Sequence, residues 1–408
     1  MAMKLFICVL FFTVCQNGHG GYVNGTFGPQ AVKGHKLEYM AAIWRHGDRA
    51  PNGPFKGDLY PESYWENGYG QLTNLGIQQQ QFLGKWIRKR YIEAFKFLPN
   101  KYDANAIKIR TTSINRTRES ALYNFKGLYG KKITYDTLKI VSPLKNETDI
   151  IGAPFVNCHF SFLLGSKGLK TREVAKFLKK NEKLVARLKN VTKVEVPVLL
   201  YLISLTDPFV NEKEKNLSLA KEYEAIYSQI YAFYIQSFRF VYGLDIEFQG
   251  RLDWRKALVT MHSGGLFNVL INDIEHKALC SSKSQRMLNK NCGNRAANDL
   301  KYRAFSMHDI NVLAVLNNLN FKFLDYNKND NAPVGSALFI ELWNDPVSRQ
   351  RYVKAIYRKK PDEIYDLSEE IADCKSIGKG LGCSAEGFIT RSQKYLISDA
   401  RQYCAQKY

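Results

Sequence analysis

The segment that most constrains the fold is an uninterrupted apolar run, YMAAIW, at residues 39–44. A strand that is buried on both faces of a sheet has such a run, whereas a strand with one solvated face alternates apolar and polar residues. The run stops at residues 45–51, RHGDRAP, which are mostly polar and end in a proline. We therefore predict a strand in a parallel sheet, with Arg45, His46 and Arg49 at its carboxyl end.

Other segments repeat this order of strand, polar residues and helix. Residues 71–91 have helical spacing of apolar residues behind a capping threonine, Thr73. Residues 107–109 and 304–306 predict short strands, each followed by polar residues and a helix. Two more strands joined by a turn are predicted at residues 337–343 and 352–357. Strands that alternate with helices indicate an α/β fold, a sheet with helices on both faces.

Between residues 140 and 255 the pattern changes to long amphipathic helices. Residues 171–190 are rich in lysine and carry their apolar side chains on one side, and residues 217–240 are dense in tyrosine and phenylalanine. We predict that residues 140–255 form a mainly helical cap insertion. The α/β domain is then formed by residues 21–139 and 256–408.

Residues 1–20 have the pattern of a secretory signal peptide. Lys4 precedes an apolar run of about 11 residues, and a glycine-bearing polar stretch follows it. A bilayer span needs ~20 apolar residues, so we expect a secreted, extracellular protein with no membrane span. On such a chain, Asn-x-Ser/Thr sequons are candidate glycosylation sites, with Asn115 expected to be too enclosed. The five sequons begin at Asn24, Asn115, Asn146, Asn190 and Asn216.

Six cysteines remain after residue 20, an even number that predicts three disulfides in an oxidising compartment. Six cysteines allow 15 pairings, and the sequence does not choose among them. The pairs we expect are Cys280–Cys292 and Cys374–Cys383 as local loops, with Cys158–Cys404 closing a long one. No two of these cysteines have the spacing of zinc ligands, so we expect no metal.

The chain is strongly basic, with a formal net charge of +21. Such a charge suits nucleic acid, anionic cell surfaces or small anionic substrates. The basic residues are dispersed, however, and no pattern of a nucleic-acid-binding module accompanies them. We interpret the charge as a solvated basic surface and expect no nucleic-acid partner.

Six chemically active side chains follow the predicted strands closely: Arg45, His46, Arg49, Arg116, His308 and Asp309. Ligands of open α/β sheets bind beyond the carboxyl ends of the strands. Three guanidinium groups in one crevice repel one another unless an anion lies between them, and their planar forks match the oxygens of phosphate. A histidine kept neutral by such cations is able to attack phosphorus, and a carboxylic acid is able to protonate the leaving oxygen. The set predicts phosphoryl transfer without a cofactor.

These motifs resemble those of the histidine acid phosphatases, in the branch of animal lysosomal, prostatic and secreted insect enzymes. The resemblance covers nearly all of the chain after residue 20. The segments that carry it are residues 45–51, 68–76, 87–91, 109–121 and 308–309. It implies an α/β fold with a mixed, phosphoglycerate-mutase-like sheet and a helical cap beside the active site.

The resemblance also implies a role for each of the six residues. His46 would be the phosphorylated nucleophile and Asp309 the proton donor. The residues that would bind the phosphate are Arg45, Arg49, Arg116 and His308. The expected activity is that of a secreted acid phosphatase acting on small phosphate monoesters.

The chain departs from the family pattern beside Arg116. Where the family usually has RSTDxDRT, residues 110–117 are RTTSINRT, so that Ser113 and Asn115 replace two aspartates. Each replacement removes a negative charge near Arg116. The six residues with chemical roles are intact.

Two other functions fit parts of the pattern. One is a phosphatase-like protein with weak or no activity that binds small hydrophobic or amine mediators under the aromatic-rich cap. The other is a phytase, because the positive charge suits a polyphosphorylated substrate. The intact catalytic set favours an enzyme, and the branch that the chain resembles favours broad monoesterase activity.

Overall fold

The computed structural model describes seven parts of the chain, which are residues 21–22, 28–194, 198–247, 252–280, 292, 295–321 and 331–407. The predicted signal peptide and the sequon at Asn24 lie outside the described residues. Within the described parts, no helix combines the length and the apolar character that crossing a membrane requires.

One mixed sheet of nine described strands organises the chain. The strands are β1 (Gly21–Tyr22), β2 (Lys36–Arg45), β3 (Ile107–Thr111), β4 (Ile140–Val141), β5 (Tyr302–Met307), β6 (Ala337–Asn344), β7 (Arg351–Lys360), β8 (Glu363–Asp366) and β9 (Cys383–Ser384). Their order is β1-β8-β7-β6-β2-β5-β3-β4, with β9 paired to β7. Strands β2, β5, β3 and β4 are parallel, while β2–β6, β6–β7 and β7–β8 are antiparallel. The predicted mixed α/β fold is confirmed.

Strand β2 lies in the middle of this sheet, and both of its faces are buried. Residues 39–44 have no exposed surface. Tyr39, Ala41 and Ile43 belong to one core cluster, and the alternate residues Met40, Ala42 and Trp44 belong to another. The strand is parallel to β5 on one side and antiparallel to β6 on the other, so the predicted parallel environment is correct on one side only.

Helices cover both faces of the sheet. They are α1 (Asn74–Ile87), α2 (Asn115–Tyr129), α3 (His159–Gly168), α4 (Arg172–Lys180), α5 (Glu182–Thr192), α6 (Leu200–Ser204), α7 (Asp207–Glu214), α8 (Lys221–Glu224), α9 (Tyr227–Val241), α10 (Trp254–Leu279), α11 (Arg295–Asp299), α12 (Asp309–Leu319), α13 (Ala385–Ser392) and α14 (Ala400–Cys404). Helices α1 and α2 cover the face of Trp44, where Gly84 and Gly127 allow close contact. A Cβ on Gly84 would lie 1.9 Å from the carbonyl oxygen of Asn124.

The predicted helix at residues 71–91 is shorter at its start and changes geometry at its end. Thr73 caps α1 as expected, because its side chain accepts a hydrogen bond from the backbone of Gly76. After Ile87 the chain continues as a π-helix, Arg88–Ala94. The buried ion pair between Arg90 and Glu341 anchors this turn, with Nη2 and Oε1 2.9 Å apart.

Seven described helices, α3 to α9, lie between residues 159 and 241. Their aromatic side chains, among them Phe209, Tyr223 and Phe233, join the core cluster that contains Ile43 of β2. The lysine-rich segment predicted as one helix is broken at Asn181, whose backbone is non-helical and whose side chain donates to the carbonyl of Phe177. The aromatic segment is likewise divided into α8 and α9.

Three disulfides join the six cysteines, in the pairs expected from the sequence. Cys280–Cys292 and Cys374–Cys383 close local loops, while Cys158–Cys404 joins residues 246 positions apart. The long-range bond fastens the C-terminal helix α14 to the start of α3.

Candidate active site

Three neighbouring parallel strands bring the candidate residues to one edge of the sheet. Strand β5 lies between β2 and β3, with Arg45 opposite Met307 and Thr111 opposite Ser306. The carboxyl ends of the three strands are therefore level. Arg45 and His46 follow β2, His308 and Asp309 follow β5, and Arg116 follows β3 at the start of α2.

His46 is buried, and its local contacts select one nitrogen for chemistry. Its Nδ1 atom is 2.8 Å from the carbonyl oxygen of Gly47. Because a carbonyl only accepts, Nδ1 carries the proton and Nε2 carries the lone pair in the neutral ring. Burial lowers the pKa of His46 well below its usual value, and the charges of Arg116, His308 and Arg45 lower it further. The ring is therefore a neutral base with Nε2 as its nucleophilic atom.

Two glycines place the His46 loop against helix α1. A Cβ on Gly47 would lie 2.2 Å from the carbonyl oxygen of Gly76, and a Cβ on Gly76 would lie 2.1 Å from that of Asp48. Neither position therefore has room for a side chain. Oε1 of Gln79, on the same helix, accepts a hydrogen bond from the backbone N–H of Asp48 at 2.8 Å. Helix α1 therefore holds the loop by close backbone packing and by this hydrogen bond.

Arg45 and Arg116 are held by few acceptors. Arg45 donates to the carbonyl of Ala332 at 2.6 Å, and its Nη2 atom lies 3.2 Å from Oδ2 of Asp309. Arg116 donates to the carbonyl of Gly70 at 3.3 Å. Among the described residues, neither Nε atom has a hydrogen-bond partner, although both are buried. Phosphate oxygens would satisfy these donors.

His308 lies beside His46, with the two ring centroids 5.4 Å apart. Its Nε2 atom is 3.0 Å from the hydroxyl of Thr112, which also contacts Thr117 at 2.9 Å. Burial lowers the pKa of His308 to about 3, with a further contribution from Arg116. His308 is thus a neutral, oriented side chain at the N-cap of α12.

Asp309 is the only one of the six expected residues with a carboxyl group. Besides Arg45, it accepts a hydrogen bond from Nδ2 of Asn331 at 3.1 Å. Burial raises its pKa, but Arg45 and the bond from Asn331 outweigh burial and lower the pKa below the usual value. The same Asn331 donates to the hydroxyl of Tyr234 at 2.6 Å. Asp309 is therefore ionised when no anion occupies the site.

Comparison with known proteins agrees with this geometry. Residues 36–358 match the family described as the histidine phosphatase superfamily, branch 2.

The chain belongs to this family.

Its relatives include the lysosomal acid phosphatase of Xenopus laevis, which is 26% identical over 91% of this chain and 80% of that protein. Human prostatic acid phosphatase is 31% identical over 47% of this chain and 51% of its own length. Among solved structures, the phytase of Citrobacter braakii has a TM-score of 0.60 at 16% identity, covering 91% of this chain and all of that one. At this identity the likeness shows a shared fold.

The departure from the family pattern places two uncharged residues, Ser113 and Asn115, beside Arg116. Among the residues described, Arg116 forms no ion pair, and Asn115 is exposed and donates to Oε1 of Gln71 at 3.0 Å. The expectation that Asn115 is enclosed is therefore wrong, because the helix start faces solvent. Burial, together with the charge of Arg49, lowers the pKa of Arg116 to about 9.

Several residues that complete the site could not be identified from the sequence. Asp207, at the start of α7, binds Arg49. Glu214 lies at the end of the same helix, and partial desolvation of its carboxyl raises its pKa, although the charge of Arg45 opposes the shift. An aspartate followed by proline marks a helix start, but nothing in the local pattern shows which surface that helix contacts. Across the described residues, no group of three or more His, Cys, Asp or Glu could hold a metal ion.

Proposed function

We propose that this chain is a secreted acid phosphatase that hydrolyses small phosphate monoesters through a phosphohistidine at His46. The observation that carries the proposal is the neutral His46, with Nε2 available, beside arginines whose buried Nε donors have no partner among the described residues. The names of the lysosomal and prostatic relatives support it. The same relatives and the intact catalytic set favour the enzyme over mediator binding.

Binding of the substrate depends on the arginines and on His308. The phosphoryl group of the ester lies among Arg45, Arg49 and Arg116, which neutralise its charge through charge-assisted hydrogen bonds. These donors are fixed before the substrate arrives, so they also stabilise the charge that the three non-bridging oxygens carry during transfer.

In the first chemical step, Nε2 of His46 attacks phosphorus and the bond from phosphorus to the ester oxygen breaks. The carboxyl of Asp309 gives its proton to the leaving oxygen, so an alcohol departs and a phosphohistidine remains. Asp309 is ionised in the free site because Arg45 lies beside it. A bound phosphate offsets the charge of Arg45, which raises the pKa of Asp309 relative to the free site and favours uptake of the proton.

In the second step, a water molecule attacks phosphorus and the bond to Nε2 breaks. The carboxylate of Asp309 accepts a proton from that water, which restores the acid for the next cycle. Inorganic phosphate and neutral His46 are released. No metal or cofactor is assigned a role in either step.

Residues 140–255 act in this proposal as a cap over an α/β domain formed by residues 21–139 and 256–408. Helix α7 supports this role, because it reaches the loop that follows His46. Export through a signal peptide at residues 1–20 is supported by the three disulfides. The sequons at Asn146, Asn190 and Asn216 are exposed and remain candidate glycosylation sites.

The proposal is tested with the full secreted chain on 4-nitrophenyl phosphate at mildly acidic pH. The wild type should release phosphate, and His46→Ala should lose the activity together with the acid-labile phosphoryl label that a phosphohistidine carries. His159→Ala is the matched control, because His159 is exposed at the start of α3. Activity that survives in His46→Ala would overturn the mechanism.

A further inference from the structure

Helix α7 contacts the loop that follows His46 at both of its ends. At its start, Asp207 binds Arg49. Just after its end, Nζ of Lys215 lies 2.8 Å from Oδ1 of Asp48. The other carboxylate oxygen of Asp48, Oδ2, accepts a hydrogen bond from the hydroxyl group of Thr73, with the two oxygen atoms 2.6 Å apart. Helix α7, which lies within residues 140–255, therefore binds at both ends to the loop that follows the nucleophile His46.

The hydrogen bonds of Arg49 use one side of its guanidinium group. Nη1 donates to the carbonyl of Ala50 at 2.9 Å and to Oδ2 of Asp207 at 3.3 Å, while Nη2 donates to Oδ1 of Asp207 at 2.5 Å. Arginine has five N–H donors in a rigid plane. The remaining two, on Nε and Nη2, point the same way and form a second fork. The buried Nε atom has no partner in the described parts of the chain.

Asp207 is ionised, and the neighbouring guanidinium of Arg49 balances its negative charge. Burial raises its pKa, but Arg49 and the N–H of Asn52, which donates to Oδ2 at 3.2 Å, outweigh burial and lower the pKa below the usual value. Its charge also reduces the mutual repulsion of Arg49 and Arg116. Asp207 thus holds Arg49 without occupying the donors that a phosphate would use.

We propose that Asp207 is a positioning residue, which fixes the guanidinium of Arg49 so that Nε and Nη2 face the bound phosphate. The inference rests on the proposed function and deepens it. It makes phosphate affinity depend on the docking of α7, so a residue of the insertion completes the phosphate site. Asp207 acts through Arg49 and touches neither the nucleophile nor the proton donor in any described contact.

The experiment measures the dissociation constant of inorganic phosphate by calorimetry at one mildly acidic pH, using the full chain. Asp207→Asn is nearly isosteric but loses the charge, and we expect it to weaken phosphate binding about tenfold or more. In an Arg49→Ala background the same substitution should have no further effect. Lys213→Gln is the matched control, because Lys213 lies on the same helix and pairs with the exposed Glu224 at 2.7 Å. It should bind phosphate within about twofold of the wild type.

Unchanged or tighter phosphate binding in Asp207→Asn would overturn the inference. So would a loss of phosphate affinity that is the same in the wild-type and the Arg49→Ala background. If Asp207→Asn does not fold, Asp207→Glu replaces it, since it keeps the charge and moves the carboxylate by one methylene. Several-fold weaker binding is then expected, and wild-type affinity would contradict the proposal. A wild type that binds no phosphate overturns the proposed function as well, whereas binding that is indifferent to residue 207 overturns only this inference.

Discussion

Oδ2 of Asp309 lies 3.2 Å from Nη2 of Arg45, so the proposed proton donor is ion-paired with a proposed phosphate ligand. The pair lies at the ends of two adjacent parallel strands, β2 and β5. Because the arginine keeps the carboxyl ionised when no phosphate is bound, substrate binding and protonation of Asp309 are coupled. The phosphate that neutralises Arg45 also prepares the acid.

Asp309→Asn should therefore slow the reaction in a way that depends on the leaving group. A glycerol phosphate has an alkoxide leaving group that needs a proton, and we expect its kcat/KM, which reports on the first chemical step, to fall roughly 100-fold or more. 4-Nitrophenyl phosphate releases a stable phenolate, so its kcat/KM should fall much less. Equal losses on the two substrates would show that Asp309 is not the donor. Steady-state assays at one mildly acidic pH make the comparison.

Gly76→Ala should damage the active site although residue 76 has no chemical role. The added Cβ would lie 2.1 Å from the carbonyl oxygen of Asp48, so the backbone beside His46 must move. We expect at least a tenfold loss of kcat/KM and a loss of about 1–3 kcal/mol in the free energy of unfolding. Gly53→Ala is the control, because a Cβ there meets no atom within 4 Å. If both variants keep wild-type activity, the contact does not constrain the loop.

The convergence of the six expected residues could be predicted because they lie in three motifs, each of which follows a predicted strand. The run at residues 39–44 specifies a strand buried on both faces, and parallel strands bring their carboxyl ends to one edge. Their convergence then follows from the order β2-β5-β3. The antiparallel side of β2 could not be predicted, since the apolar run is the same for either kind of neighbour.

Asp207 and Lys215 could not be predicted as site residues for a different reason. Arg49 and Asp207 are 158 residues apart in the chain, and their contact depends on how helices α3 to α9 pack on the sheet. Periodicity specifies which face of a helix is apolar, but not the partner of a charged residue at its end. The break at Asn181 is similar, because a side-chain hydrogen bond overrides a continuous helical pattern.

The long-range disulfide should contribute more stability than a local one. In the chain-entropy account, a cross-link between residues 246 apart stabilises the folded chain by about 5 kcal/mol, against about 3 kcal/mol for the 12-residue separation of Cys280–Cys292. Replacing Cys158 and Cys404 by serine should therefore lower the free energy of unfolding more than replacing Cys280 and Cys292. Denaturant unfolding of the two double variants measures the difference. A larger loss in the Cys280–Cys292 variant would contradict this order.

Glu212 should make the stability of the chain decrease as pH rises. It is fully buried on α7, and burial followed by the neighbouring Asp58 raises its pKa to about 8, while Lys215 opposes the shift. An unfolded glutamate has a pKa near 4.3, so between these values the folded chain holds a proton that the unfolded chain has released. The stabilisation from that proton is complete below about pH 4 and is lost as pH rises through about 8.

Glu212→Gln removes this titration while keeping a similar shape. Relative to the wild type, its Tm should be little changed at pH 4.5 and higher by roughly 2 °C or more at pH 8.5. Glu224→Gln, at an exposed ion pair on the neighbouring helix, is the control and should follow the pH dependence of the wild type. Thermal unfolding of the wild type and the two variants at both pH values measures these differences in Tm. A Tm difference between Glu212→Gln and the wild type that is the same at both pH values would mean that Glu212 does not titrate in this range.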